Sequence, residues 1–167
     1  EFRPDCFIYG NENSSLSDIL KTFYCLNLQV PAPLSLKFVL NKSKIKSSEI
    51  KLSGTLGRFS YKTETIFEKD CSWGKACDIA TKRVETEYYL WARAGTEIPT
   101  DLFARLEKFL NEDLRRFVLL EAEGFYIVAN ALHQLLGGHT SVDSMGEIQG
   151  GLLEKIKYIA ASEGTED

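Results

Sequence analysis

The basic residues of the chain are unevenly distributed, and their clustering suggests phosphate binding. Residues 37–62 contain seven lysine or arginine residues and one glutamate, although the 167-residue chain has a net charge of −4. Each contact of a basic side chain with a nucleic-acid phosphate adds to a salt-dependent affinity. The candidate nucleic-acid contacts are Lys42, Lys44, Lys46, Lys51, Arg58 and Lys62. We favour the alternative that these residues form the solvated face of a sheet, because few aromatic residues for base stacking alternate with them.

Residues that commonly carry catalysis are few. The sequence has no glycine-rich phosphate loop, no nucleophile elbow and no zinc-binding H-E-x-x-H motif. Glu121 and Glu123 are a candidate carboxylate pair for acid–base catalysis, with solvated helix-end acids as the simpler interpretation. A zinc site would have to combine Cys71, Cys77, His133 and His139. The spacing of these residues matches no usual pattern of zinc ligands. We therefore expect no enzymatic activity, no cofactor and no bound metal.

Aromatic residues at helical spacing are the remaining candidates for a functional surface. Two predicted helices carry more tryptophan and phenylalanine than a three-stranded sheet with one open face can cover. Large aromatic side chains are typical anchors of protein interfaces. The residues that we expect to contact a partner protein are Tyr89, Phe103, Phe109 and Phe117.

The N-terminal quarter of the chain predicts one short strand and one helix. Cys6–Tyr9 is strand-like, and a polar turn follows it. Ser15 is a suitable N-cap, with Asp18 at the third helical position as in a capping box. Apolar residues then recur at helical spacing over residues 16–26, and Pro31 and Pro33 end the segment.

Three segments with a period of two follow, and they predict an antiparallel meander. The segments are 34–40, 50–56 and 59–68, with Gly57 at the tight turn between the last two. Alternation of apolar and polar residues is typical of antiparallel strands that have one packed face and one solvated face.

The rest of the chain is predicted to be mainly helical. One amphipathic helix runs from Ser72 to about Ala94, and a second begins near Pro99 and extends to Phe117. Residues 117–129 are compatible with a hairpin or with helices separated at Gly124, and we favour the helices. A glycine-rich loop covers 137–151, and a final helix begins at Leu152.

Together these elements predict an α+β fold. It consists of an antiparallel three- to four-stranded meander with amphipathic helices on one face, in the order αβββα, followed by a helical C-terminal part. We expect an α+β domain at 1–95 and a helical extension at 96–167, packed as one globular unit. Over about residues 14–94 the order resembles that of double-stranded RNA-binding domains, on topology alone. Their lysine-rich helix start corresponds here to Ser72–Asp78, which contains one lysine, so membership does not follow.

The predicted function is that of a non-catalytic interaction module, an adaptor or subunit of a larger complex. Its expected partner is another protein chain, in a hetero-complex or a homodimer, and the alternative is RNA binding through residues 37–62. Four cysteines in 167 residues make no disulfide scaffold, which favours an intracellular location, in the cytoplasm or nucleus. The longest apolar run, Phe125–Leu132, is too short to span a membrane. The chain begins at Glu1 rather than Met, so we expect an excised fragment that need not include any targeting segment of the whole protein.

Overall fold

A computed structural model of the chain describes residues 2–52, 62–68, 76, 79, 80, 82, 84–110, 119–122 and 124–129. Six strands form one sheet: β1 (Asp5–Gly10), β2 (Ser35–Asn41), β3 (Lys62–Glu68), β4 (Tyr88–Arg93), β5 (Leu119–Ala122) and β6 (Phe125–Ala129). Three helices have described bounds: α1 (Leu16–Asn27), α2 (Ser47–Leu52) and α3 (Leu102–Leu110). No helix in these residues is both long enough and apolar enough to cross a membrane.

The sheet is mixed and mostly parallel, with the strand order β3-β2-β1-β4-β6-β5. β1 lies parallel to β2 on one side and to β4 on the other, so that Cys6 faces both Leu36 and Leu90. β2 is also parallel to β3. The hairpin β5–β6 joins the sheet through β6, which lies antiparallel to β4 with Leu90 opposite Ile127. The chain therefore extends the sheet first to one side of β1 and then, with β4, to the other.

The core lies on both faces of β1, all six of whose residues are buried. Helix α1 covers one face, where Phe23 contacts Phe38 of β2 with ring centroids 5.8 Å apart. On the other face the Phe7 ring lies 5.5 Å from Trp91 and 5.9 Å from Tyr89. A strand that is buried on both faces needs a continuous apolar run, which is what a central parallel strand usually has.

The predicted antiparallel meander is wrong, and the reason is the burial of both strand faces. Lys37 gave β2 an apparent alternation, but its ammonium lies over the Phe7 ring, 5.4 Å from the centroid. Residues 50–52, the start of the second predicted strand, belong instead to helix α2. At the start of this helix Glu49 Oε2 accepts a hydrogen bond from Lys46 N at 3.0 Å. β2 and β3 are both strands, as predicted, but they pair with each other in parallel.

Two helix predictions in the second half are also wrong. The amphipathic helix predicted from Ser72 to about Ala94 is wrong at its end, because Tyr88–Arg93 is strand β4, although Ala76, Ile79 and Ala80 are helical. Residues 119–122 and 125–129 form the hairpin, which was the less favoured of the two alternatives, with Gly124 (φ +86°) in its turn. This hairpin belongs to the same sheet as β1, so the sheet crosses the proposed boundary at 95/96 and includes strands from the predicted helical extension. The division into two domains itself stays a prediction.

Other predictions are confirmed or lie outside the described residues. Strand β1, helix α1 with its Ser15–Asp18 capping box, and the first part of the helix after Pro99 are confirmed. The predicted turn at Gly57, the glycine-rich loop and the final helix lie outside the described residues, as do His133 and His139.

Candidate functional site at the carboxyl edge of the sheet

In open sheets of parallel strands, ligands bind beyond the carboxyl ends of the strands, where the strand order reverses direction. In this chain the reversal falls between β1 and β4. We call the surrounding segments the carboxyl edge. It comprises residues 11–15 after β1, residues 41–44 at the end of β2, and residues 93–96 at the end of β4.

The loop after β1 is ordered by its own side chains. Asn11 Oδ1 accepts a hydrogen bond from Asn13 N at 2.9 Å, and Ser14 Oγ accepts one from Asn11 N at 3.0 Å. Glycine suits position 10, directly before the loop, because a Cβ there would lie 3.3 Å from the Leu40 side chain and 3.5 Å from that of Ile19. Glu12 and Asn13 remain exposed at the tip. The loop therefore has a fixed backbone that holds two polar side chains toward solvent.

Helix α1 begins at this edge with a reciprocal cap. Ser15 Oγ accepts from Asp18 N at 3.1 Å, and the Asp18 carboxylate accepts from Ser15 N at 3.0 Å. The backbone hydrogen bond from Ser15, followed by that with its side chain, lowers the pKa of Asp18. Asp18 is thus an ionised capping group, and its carboxylate is already used inside the protein.

The turn after β4 is fixed to α1. Gly95 N donates to Asp18 O at 2.9 Å and to Thr22 Oγ1 at 3.0 Å, and the buried Thr22 hydroxyl donates to Thr96 O at 3.0 Å. Gly95 has φ +95°, a conformation that residues with a Cβ rarely adopt. The hairpin turn joins the same structure, since Arg93 N donates to Gly124 O at 2.8 Å. The backbone of Arg93, the last residue of β4, is therefore rigid, and the Arg93 side chain is exposed.

The end of β2 carries the most unusual backbone conformation of the edge. Asn41 is buried and its amide donates to Tyr9 Oη at 2.9 Å, which ties β2 to β1 at their carboxyl ends. Lys42 then has φ +57°, in the left-handed region, and its side chain is exposed. Non-glycine residues in this region are uncommon and often lie at functional sites.

The charge of the edge is set by bases after β2 and β4. Lys42 and Lys44 follow β2, and Arg93 ends β4. The nearby acids are Glu12 in the first loop and Glu97, whose carboxylate lies 3.1 Å from Lys21 Nζ. Such an arrangement suits an anionic ligand, and in particular one that carries phosphate groups.

A second concavity lies beside α1 and is a weaker candidate for a ligand site. This open groove of about 440 Å³ is lined by Lys21, Cys25, Glu97, Ile98, Pro99 and Thr100. Its two charged residues pair with each other.

The structure separates the residues that the sequence had grouped as a basic surface. Lys42, Lys44 and Lys46 follow β2, whereas Lys51 is in α2 and Lys62 begins β3. Arg58 lies outside the described residues. Lys51 therefore does not share a sheet face with the other residues, because residues 50–52 belong to a helix.

The predicted aromatic docking residues lie elsewhere. Tyr89 and Phe103 are both completely buried, Tyr89 against Phe7 and Phe103 against Phe2. Phe109 is in α3, and Phe117 lies outside the described residues, as does Glu123. A docking role for Phe109 and Phe117 stays a prediction, whereas the other two rings have no surface to offer.

Sequence reasoning missed Arg93 and the function of residues 11–15. The helix predicted from Ser72 to about Ala94 includes Arg93, which concealed the position of Arg93 at a strand end. A signal was present in the first 40 residues, where a strand, a turn, a capped helix and a second strand follow one another as in a β-α-β unit.

Solved structures with this arrangement show which fold it is. The mannosyltransferase PcManGT from Pyrobaculum calidifontis, in complex with GDP-Man and Mn2+, has a TM-score of 0.67 at 13% identity, covering 82% of this chain and 48% of its own. GalNAc-T7 with UDP, GalNAc and Mn2+ gives 0.57 at 13% identity, covering 71% and 22%. The glycosyltransferase GlyE of Streptococcus pneumoniae TIGR4 gives 0.53 at 13% identity, covering 84% and 38%. The chain has a Rossmann-like fold of the glycosyltransferase A type.

This likeness corrects the functional prediction. A non-catalytic adaptor subunit without enzymatic activity, with RNA binding as its alternative, is contradicted because the similar structures include glycosyltransferases such as PcManGT and GlyE. The chain spans about half the length of the mannosyltransferase and less of the other two. The sequence matches no protein-family model, and no curated protein is significantly similar to it.

Proposed function

We propose that the chain binds a nucleoside-diphosphate sugar at the carboxyl edge and transfers the sugar to an acceptor hydroxyl. The observation that carries the proposal is the position of exposed basic and polar side chains at the strand-order reversal of a fold that glycosyltransferases share. Two of the similar structures contain a nucleotide or a nucleotide sugar in this fold, GDP-Man in one and UDP in the other.

The proposed reaction requires positive charge beside the departing diphosphate. The bond between the anomeric carbon and the diphosphate oxygen breaks, and its electron pair stays on the diphosphate. A new bond forms between the anomeric carbon and the acceptor oxygen, whose proton passes to a base or to water. The departing diphosphate gains negative charge, so preorganised cations beside it stabilise the transition state more than the ground state.

The residues of the edge divide this work between them. Arg93 has a planar guanidinium that can donate two hydrogen bonds to phosphate oxygens, and Lys42 supplies a compact positive charge. The fixed loop after β1 places Asn13 where its amide can bind sugar or ribose hydroxyls. Glu12 lies in the loop after β1, and Glu97, just beyond the end of β4, is held by Lys21.

A panel of ligands tests the proposal. Thermal unfolding is recorded with GDP-mannose, UDP-N-acetylglucosamine, UDP-galactose and their nucleoside diphosphates, with free sugars and nucleoside monophosphates as controls. Saturation at about 100 times the Kd adds about 2.7 kcal/mol to the free energy of unfolding, which raises Tm by about 5–10 °C. We expect this from at least one sugar nucleotide and its diphosphate, followed by diphosphate release with an acceptor. No Tm increase with any diphosphate contradicts the proposal.

Two other expectations stay predictions. An intracellular location agrees with the free thiols of Cys6 and Cys25. Association with another protein chain is untested, and gel filtration at several concentrations measures it.

A further inference from the structure

The end of β2 and the end of β4 do not suit a divalent cation. Mn²⁺ prefers carboxylate and other oxygen ligands, usually with two or more from the protein. Residues 41–44 are Asn, Lys, Ser and Lys, and residues 93–96 are Arg, Ala, Gly and Thr. Neither segment contains a carboxylate, and a cation placed there would be repelled by Lys42 and Arg93.

Three nearby carboxylates do not compensate. Asp18 accepts hydrogen bonds within its cap, Glu97 pairs with Lys21, and Glu12 is alone at the tip of its loop. The described residues contain no group of three histidine, cysteine, aspartate or glutamate side chains that could hold a metal ion. The donor set therefore does not fit the Mn²⁺ that accompanies the nucleotide in the two similar structures.

The basic side chains are positioned to replace a cation. β2 and β4 flank β1, and the register places Val39, Tyr9 and Arg93 side by side across the three strands. Two inter-strand spacings separate the outer backbones by about 10 Å. Lys42 lies three residues beyond Val39, so its backbone is about 10 Å farther along the strand direction than the register position of Arg93. Lys42 and Arg93 thus lie on the chain segments on either side of β1, and both side chains are long enough to reach a diphosphate bound beyond the end of β1.

From these positions we infer that Lys42 and Arg93 neutralise the diphosphate of the donor in place of a divalent cation. The inference rests on the proposed function, because it concerns the same ligand at the same edge. It defines a donor site that works without added metal and whose affinity is carried by two named side chains.

Calorimetric titration of the full chain with UDP, GDP, ADP and CDP tests the inference. Each titration is run once with excess EDTA and once with excess MnCl2. We expect the diphosphate that binds to have a Kd that changes less than about threefold between the two buffers. Binding only with MnCl2 overturns the inference and keeps the proposed function. Binding in neither buffer overturns both.

Charge-removing variants then locate the cations. Arg93→Gln and Lys42→Asn are expected to weaken diphosphate binding in EDTA at least tenfold each, as loss of a charge-assisted hydrogen bond does. Asparagine is chosen at 42 because it tolerates the left-handed backbone. Arg105→Gln is the matched control, since Arg105 is exposed on α3 and pairs with Asp101. Full affinity in both edge variants, with native near-UV circular dichroism, overturns the inference.

Discussion

The two ends of strand β1 are both polar, but they differ in how their polar groups are used. At the amino end Asp5 is buried, and its carboxylate accepts hydrogen bonds from the Ser35 hydroxyl at 2.5 Å and from Glu85 N at 3.3 Å. Thr86 Oγ1 accepts from Asp5 N at 3.2 Å. The amino end is thus closed, with its polar groups bonded to one another.

At the carboxyl end the backbone is equally well fixed, but the charged side chains point outward. Lys42, Lys44 and Arg93 are exposed, and the hydrogen bonds there hold the backbone beneath them. A buried polar cluster maintains a fold, whereas exposed charges on a rigid backbone can contact a ligand from solvent. Substitutions at the amino end should therefore change stability, and those at the carboxyl end should change binding.

The largest expected effect on stability comes from Asp5→Ala. Removing the carboxylate leaves the Ser35 hydroxyl and Glu85 N without an acceptor, and this should lower the free energy of unfolding by about 3 kcal/mol. Urea denaturation measures the change. Asp101→Ala, which removes an exposed carboxylate, should cost less than about 0.5 kcal/mol. Equal costs in the two variants would show that the amino-end cluster is not structural.

A smaller loss, about 2 kcal/mol, is expected for Gly124→Ala at the hairpin turn beside the carboxyl edge. Its φ of +86° is unfavourable for alanine, and a Cβ would collide with the Thr96 side chain. Chemical denaturation of the double variant with Thr96→Ala separates the two causes. The cost should fall there to about 1 kcal/mol, and an unchanged cost would mean that the collision is unimportant.

Much of the local structure could be predicted, because its signals are local. Ser15 with Asp18 marks the start of α1, and the apolar run at residues 6–9 marks β1. The sheet order could not be predicted, because it depends on contacts between residues as distant as Cys6 and Leu90. The Tyr88–Arg93 run has apolar residues in succession, which fits a buried strand and a helix stripe equally.

The candidate site was harder to predict than the fold. Lys42 and Lys44 were recognised as phosphate-binding candidates in a loop, but for nucleic acid. Arg93 and residues 11–15 acquire meaning only when the parallel strands bring their ends to one edge. The left-handed backbone of Lys42 has no sequence signal, because lysine does not favour it.

Ser15→Ala should cost about 1 kcal/mol at neutral pH. Because the hydrogen bonds from Ser15 lower the pKa of Asp18, the stability they contribute is present above the pKa of Asp18 in the unfolded chain. It is lost as the pH falls through the lower pKa of the folded state. The backbone hydrogen bond from Ser15 N persists in Ser15→Ala, so Asp18→Ala is the variant that should converge with the native chain when urea denaturation is carried to acidic pH. A constant difference at all pH values would contradict the role of Asp18 in the cap.

The smallest effect on stability is expected for Lys42→Asn, within about 0.5 kcal/mol of the native chain. The exposed lysine gives way to a residue that favours its backbone conformation. Lys21→Gln is the partner experiment, since its pair with Glu97 is also exposed and should contribute less than about 0.5 kcal/mol. The two variants should unfold alike in urea and yet differ in diphosphate affinity. Equal affinities would remove the distinction between the edge and the neighbouring surface.

The most direct test of the account is a titration of the isotope-labelled chain with a nucleoside diphosphate, followed by backbone amide NMR. The account predicts that shift changes concentrate at residues 11–15, 42–44 and 93–96, and that Ser35 and Thr86 at the opposite end of the sheet stay unchanged. Changes confined to the amino end or to α3, or no changes at saturating diphosphate, would contradict a donor site at the carboxyl edge.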